Sequence, residues 1–202
     1  DLGDIIGRCG GSRLRCACIE SNEDHMVAIT GELEEDFSLR VRPVMVDPAG
    51  GDNDALSRQA FDDVSFIVSS VFHAEVAREL GIAHGKPVVV VSVNPEFALE
   101  LSRLLVAGSV TAVYVDPRFA ERGESYLSVT GFRGRVRFVQ LDGLKDRDID
   151  IGDPRVLLTR AARRKQRMPE FHFIPPPPVF ISHDSARELY RVIVTSSLVS
   201  AI

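Results

Sequence analysis

No run in the sequence reaches the roughly 20 apolar residues that a membrane-spanning helix needs, and no basic–apolar–small leader pattern opens it. Basic residues are not in excess. The formal net charge of −5 argues against this segment binding nucleic acid by itself, because such domains carry a basic surplus. Cysteine is scarce: Cys9, Cys16 and Cys18 are an odd number crowded toward one end, which excludes a disulfide framework. No His or Cys stands near them at zinc-ligand spacing. Cys16 and Cys18 flank Ala17 in an apolar run, so on a strand they share a side and read as small core residues, in keeping with a reducing cytoplasm. The sequence also lacks G-x-G-x-x-G, a Walker loop, a G-x-S-x-G elbow and H-E-x-x-H. Its histidines (His25, His73, His84, His172, His183) show no metal-binding spacing. No catalytic residue, metal or cofactor is therefore assigned.

What is present is ordinary globular composition, 45% hydrophobic and 26% charged, arranged as short Val/Ile-rich runs alternating with amphipathic stretches. That alternation predicts βαβ units and an α/β fold with mostly parallel sheets flanked by helices. Strands are expected at 13–19, 39–46, 64–68, 88–93, 111–115, 135–141, 155–158 and 171–174. Helices are expected at 24–35, 54–61, 72–80, 159–167 and 185–197, with Gly81 stopping the third and Ser182 or Asp184 capping the last. Two further helices begin at Asn94-Pro95 and Asp116-Pro117, where Asn or Asp caps and Pro fills the first helical position without losing a bonded N–H. Residues 142–153 read as a charged loop. The Pro175–Pro178 run can be neither helix nor central strand and is read as a stiff connector. Residues 1–12 are Gly-rich and read as a linker. Because the first residue is Asp1 and not Met, a preceding segment is expected, either a cleaved leader or a whole domain.

In open parallel sheets, ligands sit outside the carboxyl ends of the strands. The residues there are the candidate binding set: Glu20 and Ser21, Ser69 and Ser70 with His73, Asn94, Asp116, and Thr159 with Arg160. Ser69-Ser70-Val71-Phe72-His73 joins a strand to a helix, where hydroxyls and backbone N–H groups favour an anion and His73 adds a donor that titrates near neutral pH. The alternative is that Ser70 is a simple helix cap and His73 a boundary residue. Arg160 offers a planar fork for a carboxylate or phosphate, or it joins Arg163, Arg164, Lys165 and Arg167 in one solvated basic face. Asp116 and Asn94 are either caps or ligand contacts.

The residues Asp63-Val64-Ser65-Phe66-Ile67-Val68-Ser69-Ser70-Val71-Phe72-His73-Ala74-Glu75-Val76, then His84-Gly85-Lys86-Pro87-Val88 through Pro95-Glu96, resemble the effector domains that follow a winged helix in GntR-type bacterial transcription regulators. The pattern there is D-x-(two apolar)-T-[ST]-x-[FY]-H-x-x-E-V followed by L-G-K-P-V-V-V-V-x-x-x-P-E. The stretch 113–122, with its VDPRFAER, and Ser185-Ala186-Arg187-Glu188-Leu189 are similar to the same domains, so the likeness covers 60–200 in spots. Serines stand at 69 and 70 where the pattern has at least one threonine; the hydroxyl is kept.

The resemblance implies a two-lobed fold like that of periplasmic binding proteins and LysR-type effector domains. Residues 13–92 and 179–202 would form one lobe and 93–178 the other, closing on a small anionic metabolite in the cleft between them. It implies a cytoplasmic homodimer that touches DNA only through an upstream winged helix, without a membrane. Two other readings stay open. One is an enzyme on a similar frame, like uroporphyrinogen-III synthase; a racemase would need thiols facing across the cleft, which Cys16 and Cys18 on one strand cannot supply. The other is an exported solute-binding protein, against which the clustered odd cysteines speak.

Overall fold

The computed structural model describes residues 14–46, 61–146, 155–166 and 180–199. The linker 1–12, Cys9, the helix expected at 54–61 apart from Phe61, the later part of the 142–153 loop, the strand at 171–174 and the proline run lie outside the described residues.

In chain order the elements are β1 (Arg15–Glu20), α1 (Glu23–Glu35), β2 (Arg40–Met45), β3 (Phe66–Ser70), a 3₁₀ turn (Val71–His73), α2 (Ala74–His84), β4 (Val88–Val91), α3 (Pro95–Ala107), β5 (Val110–Tyr114), α4 (Pro117–Thr130), β6 (Val136–Gln140), a second 3₁₀ segment (Leu141–Asp146), β7 (Val156–Leu158), α5 (Arg160–Gln166) and α6 (His183–Val199). Strands alternate with helices, and the strand pairings within both sheets are parallel. The class is therefore α/β, with parallel sheets flanked by helices, as expected from the alternation.

The chain divides into two compact units. The first holds the residues up to Ser21, Ile29–Val93 and those from Ile181 on; the second holds Asn22–Ala28 and Asn94–Phe180. Among the described residues no helix is long and apolar enough to cross a membrane.

The first unit is built on the sheet β2-β1-β3-β4. β1 and β3 are central, and nearly all of their side chains are buried, Arg15 excepted, which is why they read as unbroken apolar runs and not as alternation. On one face Ala17, Ile19, Val44, Val46, Ile67 and Ala77 close a core with Phe61 and Val64. Cys16 and Cys18 are among the buried core residues, unpaired by any disulfide. Burial, with the Glu34 charge adding to it, pushes the Cys16 thiol up to about 12, and burial raises Cys18 likewise. Both thiols stay protonated and act as packing groups. Among the described residues β2 lies at an edge of the sheet, and it carries Pro43, which a central strand would not accommodate.

Gly81 does not stop α2. The helix runs on to His84 and ends at Gly85, whose φ of 62° is left-handed and whose N–H returns to the carbonyls of Gly81 and Ile82. Gly81 instead lies buried where the helix meets β4: a Cβ there would stand 2.4 Å from Val88 Cγ2 and 2.9 Å from the Lys86 carbonyl oxygen. The glycine is fixed by close approach, not by helix termination.

The second unit holds the sheet β6-β5-β7. Val113, Leu141, Val156, Leu158 and Ala162 form one core cluster; Leu105, Val110 and Leu127 form another, with Phe132 and Phe138 against it. Both Pro-initiated helices are capped as their sequences predict: Asn94 accepts from the Glu96 N–H and Asp116 from the Arg118 N–H.

Candidate functional site

In the first unit the chain passes from β1 outward to β2 on one side and from β3 to β4 on the other. The carboxyl ends of β1 and β3 thus mark the switch point of the sheet, where such folds hold ligands. Glu20 and Ser21 end β1 there, and Ser69 and Ser70 end β3, with His73 just beyond. All five are buried. Glu20 Oε1 accepts from the Ser21 N–H at 2.8 Å and lies 2.9 Å from His73 Nε2. A carboxylate that close requires the imidazole proton on Nε2, pointing at Glu20. The Ser21 N–H, 3.2 Å from the same nitrogen, is then committed to the carboxylate. Glu20 so fixes the tautomer and the plane of His73.

The two serines differ. Ser69 Oγ donates to the Ser70 carbonyl at 2.9 Å. Ser70 stands at the cap position of the 3₁₀ turn, but its side chain makes no capping bond. It is only 6% exposed, and its Oγ has no hydrogen-bond partner among the described residues. A buried hydroxyl left unbonded costs ~1–3 kcal/mol, and folded proteins retain few of them. The simple-cap alternative for Ser70 therefore fails on geometry.

The remaining candidates belong to the second unit: Asn94 precedes α3, while Asp116 and Thr159-Arg160 follow β5 and β7, and there the protein supplies its own anion. The Asp24 carboxylate, in the first turn of α1, accepts from the N–H groups of Val115 (3.2 Å) and Asp116 (2.8 Å) and from the Thr159 hydroxyl. Thr159 Oγ1 also caps α5 by accepting from the Ala162 N–H. Asp116 is engaged through its side chain by the Glu23 N–H at 2.9 Å and by Arg118 Nε and Nη2 at 2.8 and 2.6 Å. Asn94 is buried as a cap. Arg160 opens α5, half-buried. The structure thus brings Glu20, Ser21, Ser69, Ser70 and His73 together in one unit, while Asp116 and Thr159 meet around Asp24 in the other.

No family model, curated protein or solved structure matches the chain.

Asp24 is the important residue that sequence reasoning passed over. An acidic residue in the first turn of a helix is explained by the helix dipole alone. Its partners lie 91 to 135 positions away in sequence, beyond any local pattern. Ser92, Ser182 and Ser185 were missed as a group for the same reason: their hydroxyls interlock at 2.8 to 3.3 Å where β4 ends and α6 begins.

Asp116 gives a pH prediction. Burial pushes its carboxyl up, but the Arg118 side chain and the N–H groups of Glu23 and Arg118 outweigh this and hold it below the usual carboxylate range. A depressed folded value means the stabilisation is present above the unfolded value of about 3.9 and is lost as pH falls through the lower folded value. Asp116→Asn keeps the cap and removes the charge. It is expected to be less stable than wild type at pH 7 by on the order of 1 kcal/mol, discounted because Arg118 is partly solvated. Urea denaturation at pH 7 and pH 3 checks this: the gap between the two proteins should narrow at the lower pH, and an unchanged gap refutes the assignment.

Proposed function

We propose that the chain is a small-molecule-sensing effector domain of a bacterial transcription regulator of the GntR type, and that its ligand is recognised at the β1/β3 tip. The observation that carries this reading is the Ser70 hydroxyl: buried, unbonded among the described residues, and set at the switch point beside the Glu20–His73 pair. A group the fold leaves unsatisfied at a ligand-favoured position is satisfied when a ligand arrives. Glu20 already supplies a negative charge here, so the group a metabolite presents to this tip is a hydroxyl or an amine. The anionic metabolite expected from the sequence is thereby narrowed to one that also carries such a group. DNA contact falls to another domain, consistent with the net charge of −5. A ligand acts on such a regulator only by binding one of its conformations better than another.

The test is a thermal-shift screen of small hydroxy and amino acids on wild type and Ser70→Ala. A ligand at about 100 times its Kd stabilises by about 2.7 kcal/mol, worth roughly 5–10 °C in Tm for a chain of this size. Ser70→Ala should fold at least as well as wild type, because it removes a polar group that the empty protein leaves unbonded, yet lose most of the ligand shift. A screen without a stabilising compound, or a compound that raises both proteins equally, overturns the proposal.

A further inference from the structure

Three guanidiniums share one face of the first unit's sheet at the amino ends of its strands. Arg15 on β1 stands in register with Arg40 on β2, and Arg42 follows two residues along β2. Neighbouring strands lie about 4.8 Å apart and alternate residues of a strand about 6.6 Å, so the three side chains leave the sheet from a small triangle. Like charges placed opposite one another across strands repel. Asp63 answers part of this: its carboxylate takes Arg42 Nη1 at 2.8 Å and Arg15 Nη1 at 2.5 Å. The Arg15 hydrogen bond, aided by the Arg42 charge, holds that carboxyl below its ordinary range. The Arg40 guanidinium makes no ion pair among the described residues. Arg15 and Arg42 are thus tied to Asp63, and Arg40 adds a third guanidinium beside them. Between them lies a recess of about 150 Å³ lined by Arg15, Arg40, Val41, Arg42 and Val64.

We propose that this recess is an oxyanion site that takes the phosphate group of a small phosphorylated metabolite. Guanidinium forks bond two oxygens of a phosphate at once, which a chloride or a single carbonyl cannot exploit. Asp63 orients two of the forks and leaves Arg40 to close the third side. A small dianion is favoured over a polyanion because the chain as a whole carries −5, and that field repels a long phosphate backbone. The recess is at the opposite end of the strands from Ser70, so it stands or falls independently of the sensor reading.

Calorimetric titration with inorganic phosphate and with glycerol phosphate, at constant ionic strength set by chloride, tests the site. Wild type is expected to bind one equivalent saturably. Arg40→Ala should weaken binding by about tenfold and Arg40→Lys by several-fold, because the ammonium keeps the charge and loses the fork. Asp63→Asn should tighten it by removing the competing carboxylate. Arg40 is exposed, so its variants should keep the wild-type circular dichroism. Absence of saturable phosphate binding, equal affinity in Arg40→Ala, or Arg40-dependent binding of a DNA duplex with none of phosphate each overturns the assignment.

Discussion

Asp24→Ala is expected to lower the unfolding free energy by about 3 kcal/mol, the largest single-residue effect predicted here. The carboxylate is only 2% exposed and serves the N–H groups of Val115 and Asp116 and the Thr159 hydroxyl. Deleting it strands these donors at the carboxyl ends of β5 and β7, where each buried unmade bond costs ~1–3 kcal/mol. For a chain of about this length that is roughly 6–12 °C in Tm. Asp24→Asn keeps one acceptor oxygen and should fall between the two. Scanning calorimetry decides it: an Asp24→Ala Tm within the error of wild type would mean that water replaces the carboxylate at no cost.

Gly81→Ala is the second. In a free helix the change would be stabilising by about 1 kcal/mol, since glycine is the poorer helix former. Here the new Cβ would meet Val88 Cγ2 at 2.4 Å and the Lys86 carbonyl oxygen at 2.9 Å. The valine methyl can rotate, but the carbonyl is backbone held by its neighbours. Overpacking of this kind costs ~1–3 kcal/mol, so the balance is a loss of up to about 2 kcal/mol once propensity is offset. Adding Val88→Ala should relieve the side-chain clash and leave the backbone one, giving partial rescue. A Gly81→Ala protein more stable than wild type in urea would show that α2 and β4 do not approach this closely.

Elements whose signals are local were legible in the sequence. Within the apolar run at 88–93, Val88–Val91 becomes β4, the Asn94-Pro95 and Asp116-Pro117 pairs start α3 and α4, and the basic stretch after Thr159 becomes α5. Each rests on side-chain chemistry within a few residues. Gly81 and Gly85 show where that stops. Either glycine could end a helix by sequence; which one does is settled by the buried approach of β4, a tertiary fact. The tip residues Glu20, Ser21, Ser69, Ser70 and His73 were found because strand ends are visible in sequence. Their partners were not, because the contact between Glu20 and His73 spans 53 positions. Asp116 and Thr159 were located correctly as strand-end residues, but nothing local shows that Asp24 occupies both.

The proline in β2 has a further consequence. Arg40 and Val46 direct their N–H groups inward, to the carbonyls of Leu14 and Glu20, so Val41, Pro43 and Met45 are the residues whose backbone faces away from β1. The middle one of the three has no N–H to offer. A second chain arriving to lengthen the ladder on that side would find its central donor missing and two arginines on the rim. Growth by strand recruitment, the first step toward fibrils, is thereby discouraged at this border.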